Sequence, residues 1–338
     1  MRSCRAYGPA CIGNLAAGFD VLGAAIEPES GELWGDLVEV VELSGPEGPG
    51  EPAMAAARAA SGVTLTCDGP FAHLLPADPA ENLAVLACAA FARRLGRPLP
   101  RLELRLHKGL PVGSGLGSSS ATVVAVMRAL DALLGRPLDD AGLLAAAGEA
   151  EAQAAGAPHL DNVAAALLGG LRLVDPGGQA RLLPFPEDLR FVVAVPALTL
   201  TTRAARAALP AAVPLGLAVA HAQNLAALVH ALHAGDRELL RACLRDLLAE
   251  PHRAGLVPGF RAVQAAALAA GAWGCSLSGA GPAVFAIAAA GDAPAVGEAM
   301  RRAWAGAGVA AEARVCVLDR RGARLVPGDA GRPEDGCG

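Results

Sequence analysis

Lysine is almost missing from this chain: Lys108 is the one lysine among 338 residues, and arginine carries the rest of the positive charge. The formal net charge is −5, and no basic cluster runs along a helix or an arm, which argues against nucleic acid as a partner. An anionic ligand would therefore need a local site. The eight cysteines (Cys4, Cys11, Cys67, Cys88, Cys243, Cys275, Cys316, Cys337) include no C-x-x-C pair, and no histidine stands at zinc-finger spacing. A structural zinc is excluded on that pattern, and the thiols read as small buried apolar groups. A secretory leader is also missing, because MRSCRAYGPA carries charge with no apolar run after it. A cytoplasmic location is the expectation.

Apolar residues make up 53% of the chain, but much of that total is alanine. The two longest stretches without a formal charge are 207–235, broken by prolines and histidines, and 262–291, broken by glycines. Neither reads as a bilayer span, and no membrane partner is expected. The length exceeds what one hydrophobic core usually supports, so two packed domains are expected.

Residues 5–13 read as a strand running into a polar turn, and 36–43 (DLVEVVEL) alternates as a half-buried strand should. Further strands are expected at 63–67, 101–107, 171–175, 191–195, 274–277, 282–288 and 310–317. Helical spacing covers 82–95, 118–134, 141–154, 161–168, 203–209, 215–234, 237–249, 260–270 and 295–305. Helices are grouped rather than alternating strictly with strands, which is an α+β pattern. There is no internal repeat, and residues 327–338 read as a flexible tail.

The most informative segment is PVGSGLGSSSA, which follows the strand 101–107 and opens a long helix. Its residues are Pro111, Val112, Gly113, Ser114, Gly115, Leu116, Gly117, Ser118, Ser119, Ser120 and Ala121. Glycines let backbone N–H groups approach an anion, and the helix N-terminus adds unsatisfied donors and a positive dipole end, so a polyphosphate fits. Ser118 stands where a Rossmann fingerprint needs its last glycine, and the lysine precedes the loop instead of closing a Walker A motif. The plain alternative is a flexible glycine-serine turn.

This loop resembles the second motif of the galacto-, homoserine, mevalonate and phosphomevalonate (GHMP) kinase superfamily. GPACIGNLAAGFDVLGAAI (8–26) resembles its first motif and SLSGAGPAVFAI (276–287) its third, in the family's order. HLDNVAAALLGGL (159–171), TRAAR (202–206) and AEPHRAGLVPGF (249–260) are similar to bacterial homoserine kinases, a likeness running from about residue 5 to 326. It implies an α+β, two-domain fold. A ribosomal-protein-S5-like N-terminal domain over 1–170 would hold the phosphate loop, and a ferredoxin-like C-terminal domain over 171–326 would close the cleft.

The resemblance also implies ATP and Mg2+ as cofactors, L-homoserine as acceptor in threonine biosynthesis, and a homodimer. Ser119 and Glu151 would hold the metal, with Glu149 as the alternative carboxylate; Mg2+ takes only one or two protein carboxylates. The ordinary readings are an N-cap for Ser119 and a solvated helix face for the glutamates. Asn82 would contact the nucleotide, although a helix cap explains it nearly as well. His159, Asp161 and Asn162 would meet the amino acid and its hydroxyl, where a cap is again the plain reading. Asn162 stands where mevalonate and galactose kinases use an aspartate base, so the catalytic set Asn162, Asp161, Ser119 and Glu151 would work by positioning and electrostatics. Arg206 and Arg253 would bind the acceptor carboxylate, with Asn14, Asp20, Thr202 and Gly279 completing that side. Two departures stand out: Ala16 replaces a frequent glycine, and Ala283 a frequent threonine. The rival readings are another kinase of the same superfamily and a silent sensor on the same fold.

Overall fold

The computed structural model describes residues 2–43, 62–155 and 160–327. The tail expected from 327 therefore lies almost wholly outside the described residues, as do His159 and Cys337. In chain order the strands are β1 (Ser3–Gly13), β2 (Leu22–Pro28), β3 (Gly35–Glu42), β4 (Val63–Asp68), β5 (Leu102–His107), β6 (Leu171–Val174), β7 (Ala180–Leu183), β8 (Leu189–Pro196), β9 (Gly274–Leu277), β10 (Val284–Ala289), β11 (Ala311–Leu318) and β12 (Arg324–Leu325). The helices are α1 (Leu83–Leu95), α2 (Ser118–Leu133), α3 (Asp140–Ala155), α4 (Leu160–Leu168), α5 (Thr202–Ala207), α6 (Leu215–Ala234), α7 (Arg237–Cys243), α8 (Glu250–Arg253), α9 (Phe260–Ala269) and α10 (Ala293–Gly306).

One sheet path runs β4-β5-β3-β1-β2-β11-β8-β10-β9. Its last four members form an antiparallel sheet in which β8, β9, β10 and β11 follow the order β11-β8-β10-β9. That is the ferredoxin-like split βαβ arrangement, with α10 crossing between β10 and β11. In the other half, β4 and β5 pair in parallel around the crossover helix α1, and the remaining pairs are antiparallel. The two halves share hydrogen bonds, because β2 pairs with β11. The expected domain boundary at 170/171 falls between α4 and β6, and β6 pairs with β2, so the hairpin β6–β7 continues the first half of the sheet.

The long strand β1 organises the site. Its first seven residues pair with β3, and from Ala10 to Gly13 it pairs with β2 instead. The switch falls after Pro9, which has no N–H to donate. Helices α1 to α4 bury one core against β1, β3, β4 and β5. A middle core joins β1 and β2 to the phosphate-loop segment, α6, α7 and the inner face of the second half. A third lies between that sheet and α9 with α10. On β8 the alternation is direct: Phe191 and Val193 face the middle core, Val192 and Ala194 the third.

The structure departs from the sequence reading in a few local places. The helix expected over 237–249 stops at Cys243, because the Asp246 carboxylate accepts from the backbone N–H groups of Leu248, Ala249 and Glu250 at 2.8–2.9 Å and starts a separate turn. The prolines of 207–235 stand before α6 rather than inside it. Among the described residues α6 is the one helix long and apolar enough, by length and composition, to cross a membrane, and little of it is buried. A lone helix of this kind also serves to cover a core, as Leu228, Ala231 and Leu232 do here. Strands β2, β7 and β12 were not anticipated.

Candidate active site

Strand β5 ends at His107, and Lys108 turns inward: it is 1% exposed. Its ammonium donates to the Asp36 carboxylate on β3, to the Ser118 carbonyl at 2.8 Å and to the Thr122 hydroxyl at 3.1 Å. Asp36 also accepts from the Gly109 and Leu110 backbone at 3.0 and 3.1 Å and from Thr122 at 2.6 Å. Burial lowers the Lys108 pKa, and the Asp36 charge opposes it. This buried clasp fixes the start of the glycine loop relative to the first turn of α2.

Along the loop Gly113, Gly115 and Gly117 all have positive φ (70°, 85°, 63°), a region that disfavours residues with a Cβ. At Gly115 a Cβ would also sit 2.5 Å from the Ser278 carbonyl, and at Gly117 it would overlap the Cys11 sulfur. No side chain caps α2 at Gly117, so its first N–H groups remain available at the cleft. The cleft holds about 860 Å³ and takes in Val112, Gly113, Ser114, Gly115, Gly117, Ser118, Ser119 and Ser120. Pro111, Leu116 and Ala121 do not line it, and the last two are fully buried as support.

Ser119 does not cap its helix. Its hydroxyl and that of Ser120 donate to Glu151, the latter at 2.8 Å. Glu151 is 2% exposed; burial raises its pKa, and the two serine hydrogen bonds and Lys108 oppose the shift. Glu149 points to the surface and pairs with Arg93. Of the two glutamates, Glu151 is therefore the one beside the phosphate loop. Asn82 caps α1, its side-chain oxygen accepting from Ala84 N–H at 3.0 Å, and it also lines the cleft.

The opposite wall is built on the turn after β1. Asn14, Leu15, Ala16 and Asp20 all have positive φ. Ala16 thus occupies a left-handed position where the family's glycine would be unstrained. Asn14 donates to the Gly279 carbonyl at 3.0 Å and accepts from the Asp20 N–H at 3.1 Å. Asp20 pairs with Arg206 at 2.7 Å. Arg253, 3% exposed, donates to the same Gly279 carbonyl at 3.0 Å and to Ala205 at 3.2 Å. Burial lowers the Arg253 pKa, and the neighbouring Arg206 charge adds to this. Both guanidinium groups lie over the Phe19 ring, 5.4 Å away for Arg206 and 5.3 Å for Arg253. Thr202 lines the cleft, while the cap of α5 is Thr201. Ala283 is buried and donates its N–H to Ser114.

Between the walls stand Asp161 and Asn162, in the first turn of α4. The Asn14 N–H donates to one Asp161 carboxylate oxygen at 3.3 Å, whereas the other oxygen is buried with no partner. Burial pushes the Asp161 carboxyl up to about 7, with the Asp20 charge adding to the rise. The Asn162 carboxamide packs against Gly13, where a Cβ would lie 2.8 Å away, and accepts from the Cys11 thiol at 3.3 Å. The structure thus gathers all the described candidates except Pro111, Leu116, Ala121, Glu149 and Glu151 onto one cleft surface, with Glu151 directly behind the serines. Phe19, Cys11 and the Lys108 clasp were not singled out from sequence; the one signal was the position of the single lysine beside the loop.

A glycine loop feeding an uncapped helix, joined across one cleft to carboxylates and guanidinium groups, is the equipment of a phosphotransferase for small acceptors. Family models match in both halves: GHMP kinases N terminal domain over residues 82–170 and GHMP kinases C terminal over 228–306. The chain belongs to the GHMP kinases, ATP-dependent kinases of small molecules that generally use Mg2+. It is similar to homoserine kinase from Cytophaga hutchinsonii at 33% identity, covering 96% of this chain and 98% of that one with a TM-score of 0.85. L. major mevalonate kinase, solved with R-mevalonate, shares the fold at 19% identity, 95% and 97% coverage and a TM-score of 0.63. Streptococcus pneumoniae phosphomevalonate kinase does so at 15% identity, 94% and 99% coverage and a TM-score of 0.62.

Proposed function

We propose that this kinase transfers the γ-phosphoryl group of ATP to the side-chain hydroxyl of L-homoserine, giving O-phospho-L-homoserine and ADP. The observation that carries the acceptor is Arg253. It is a buried guanidinium whose hydrogen bonds, among the described residues, all go to backbone carbonyls, and it shares the cleft with Arg206 and the unpartnered oxygen of Asp161. A buried cation without a carboxylate partner is unfavourable unless a ligand supplies one. A zwitterion does so, its carboxylate meeting the arginines and its ammonium meeting Asp161, Asp20 and Asn14. The likeness to a homoserine kinase over 96% of the chain supports the same reading.

In the transfer, the acceptor oxygen forms a bond to the γ-phosphorus while the bond from phosphorus to the bridging β–γ oxygen breaks, and ADP leaves with the electron pair. Backbone N–H groups of the loop and of the first turn of α2 would cradle the phosphates. Ser119 and Glu151 fit Mg2+, an oxygen-seeking ion content with one protein carboxylate, and when bound it would neutralise charge on the phosphate oxygens. Asn162 has no capacity to take a proton, so it orients the acceptor oxygen, and the hydroxyl proton leaves to phosphate or solvent. Purified protein given ATP, Mg2+ and, in parallel, homoserine, mevalonate and galactose tests the reading by ADP release. Turnover confined to mevalonate or the sugar overturns it.

A further inference from the structure

Two like charges share one ring. Arg206 comes from α5 and Arg253 from the end of α8, yet both guanidinium groups lie over Phe19, at 5.4 and 5.3 Å from its centroid. Their proximity is unfavourable, since the Arg206 charge depresses the Arg253 pKa. The face of an aromatic ring is the negative end of its quadrupole and attracts both. Phe19 itself is placed by the turn of positive-φ residues: its neighbour Asp20 pairs with Arg206, and Asn14 holds the Asp20 N–H and the Gly279 carbonyl to which Arg253 also donates. Phe19 does not line the cleft. It is half-buried beside the two cations.

We propose that Phe19 is the positioning residue for acceptor recognition: its ring holds Arg206 and Arg253 in place on the cleft wall, and so sets the preference for carboxylate-bearing acceptors over hydroxyl compounds without one. The inference rests on the acceptor reading above and assigns the source of its selectivity. Leucine at this position keeps an apolar side chain and removes the π face, whereas tyrosine and tryptophan keep it.

The experiment compares Phe19→Leu, Phe19→Tyr and Phe19→Trp with the wild type, using homoserine and 3-aminopropan-1-ol, the same molecule without its carboxylate, with melting temperatures confirming the fold. Phe19→Leu is expected to raise the KM for homoserine about tenfold, with kcat and the KM for ATP within about twofold of wild type. Its kcat/KM for the aminoalcohol should be unchanged, so selectivity falls by the same factor, and the aromatic variants should restore it. An unchanged KM in Phe19→Leu overturns the proposal, as does a Phe19→Tyr variant impaired as badly as the leucine one. If the wild type phosphorylates no homoserine, the acceptor reading fails by itself. Crystal structures of wild type and Phe19→Leu then decide the positioning role: a wider Arg206–Arg253 separation in the variant supports it, and an unchanged one overturns it.

Discussion

The thiol of Cys11 donates to the carboxamide oxygen of Asn162, 3.3 Å away and 151 positions later in the chain. Burial, with the charges of Asp161 and Glu151, holds the Cys11 pKa well above its ordinary range, so the sulfur keeps its proton and remains a donor. That fixes which end of the Asn162 amide faces Cys11 and turns the NH2 end away from it. Cys11→Ala should lower kcat by roughly three- to tenfold, the worth of one neutral hydrogen bond, and Cys11→Ser should preserve it. In an Asn162→Ala background the alanine change at Cys11 should have no further effect. An undiminished loss there would mean that Cys11 acts through packing alone.

Removing the Glu151 charge tests the proposed Mg2+ role. Glu151→Gln keeps the shape and a hydrogen-bonding partner for Ser120, so folding should survive while kcat falls on the order of 100-fold. The Mg2+ concentration for half-maximal rate should rise in the same variant. Wild-type turnover at low Mg2+ would take Glu151 out of the metal's shell.

Arg253→Ala should raise the KM for homoserine by about 10- to 100-fold, the range for a charge-assisted hydrogen bond, and leave the KM for ATP nearly intact. Arg253→Lys should not restore it, because a point ammonium cannot serve the Gly279 and Ala205 carbonyls and a carboxylate with one planar fork. Selective loss of ATP affinity would instead place Arg253 on the nucleotide side.

Asp161 links the site to pH. Burial, with the Asp20 charge, pushes its carboxyl up to about 7 in the folded protein from an ordinary value of 3.8. A raised folded pKa gives stability that is full below the unfolded pKa and is lost as pH rises through the folded one, so the loss spans roughly pH 4 to 7. Asp161→Asn removes that loss. It should be more stable than wild type at pH 8, by about 4 kcal/mol, and so melt higher there, with almost no gain at pH 4. Equal melting differences at both pH values would show that Asp161 is not buried as an unpaired acid. Homoserine affinity should fall in the same variant.

Much of this could be read from the chain before its fold. The glycine spacing, the helix ends at 95 and 234, and the alternation of β3 and β5 are local signals, and each was legible as such. Strand β2 was not, because LGAAIEP is buried along nearly its whole length and presents no polar face to mark a period of two. The site divides in the same way. Motif residues such as Asn14, Asp161 and Arg206 carry their positions in linear patterns. Phe19 under two arginines, Cys11 beside Asn162, and Asp36 against Lys108 arise only when strands and helices remote in sequence meet, so no window of residues displays them.

The Lys108 clasp has an experimental use outside catalysis. Since it is the only lysine, reagents that acylate side-chain amines have a single target in the whole chain, and that target lies behind the phosphate loop. Labelling at Lys108 therefore times the opening of the β3, loop and α2 junction, one event read at one atom. The molecule carries its own chemical clock for the loop that would hold the nucleotide.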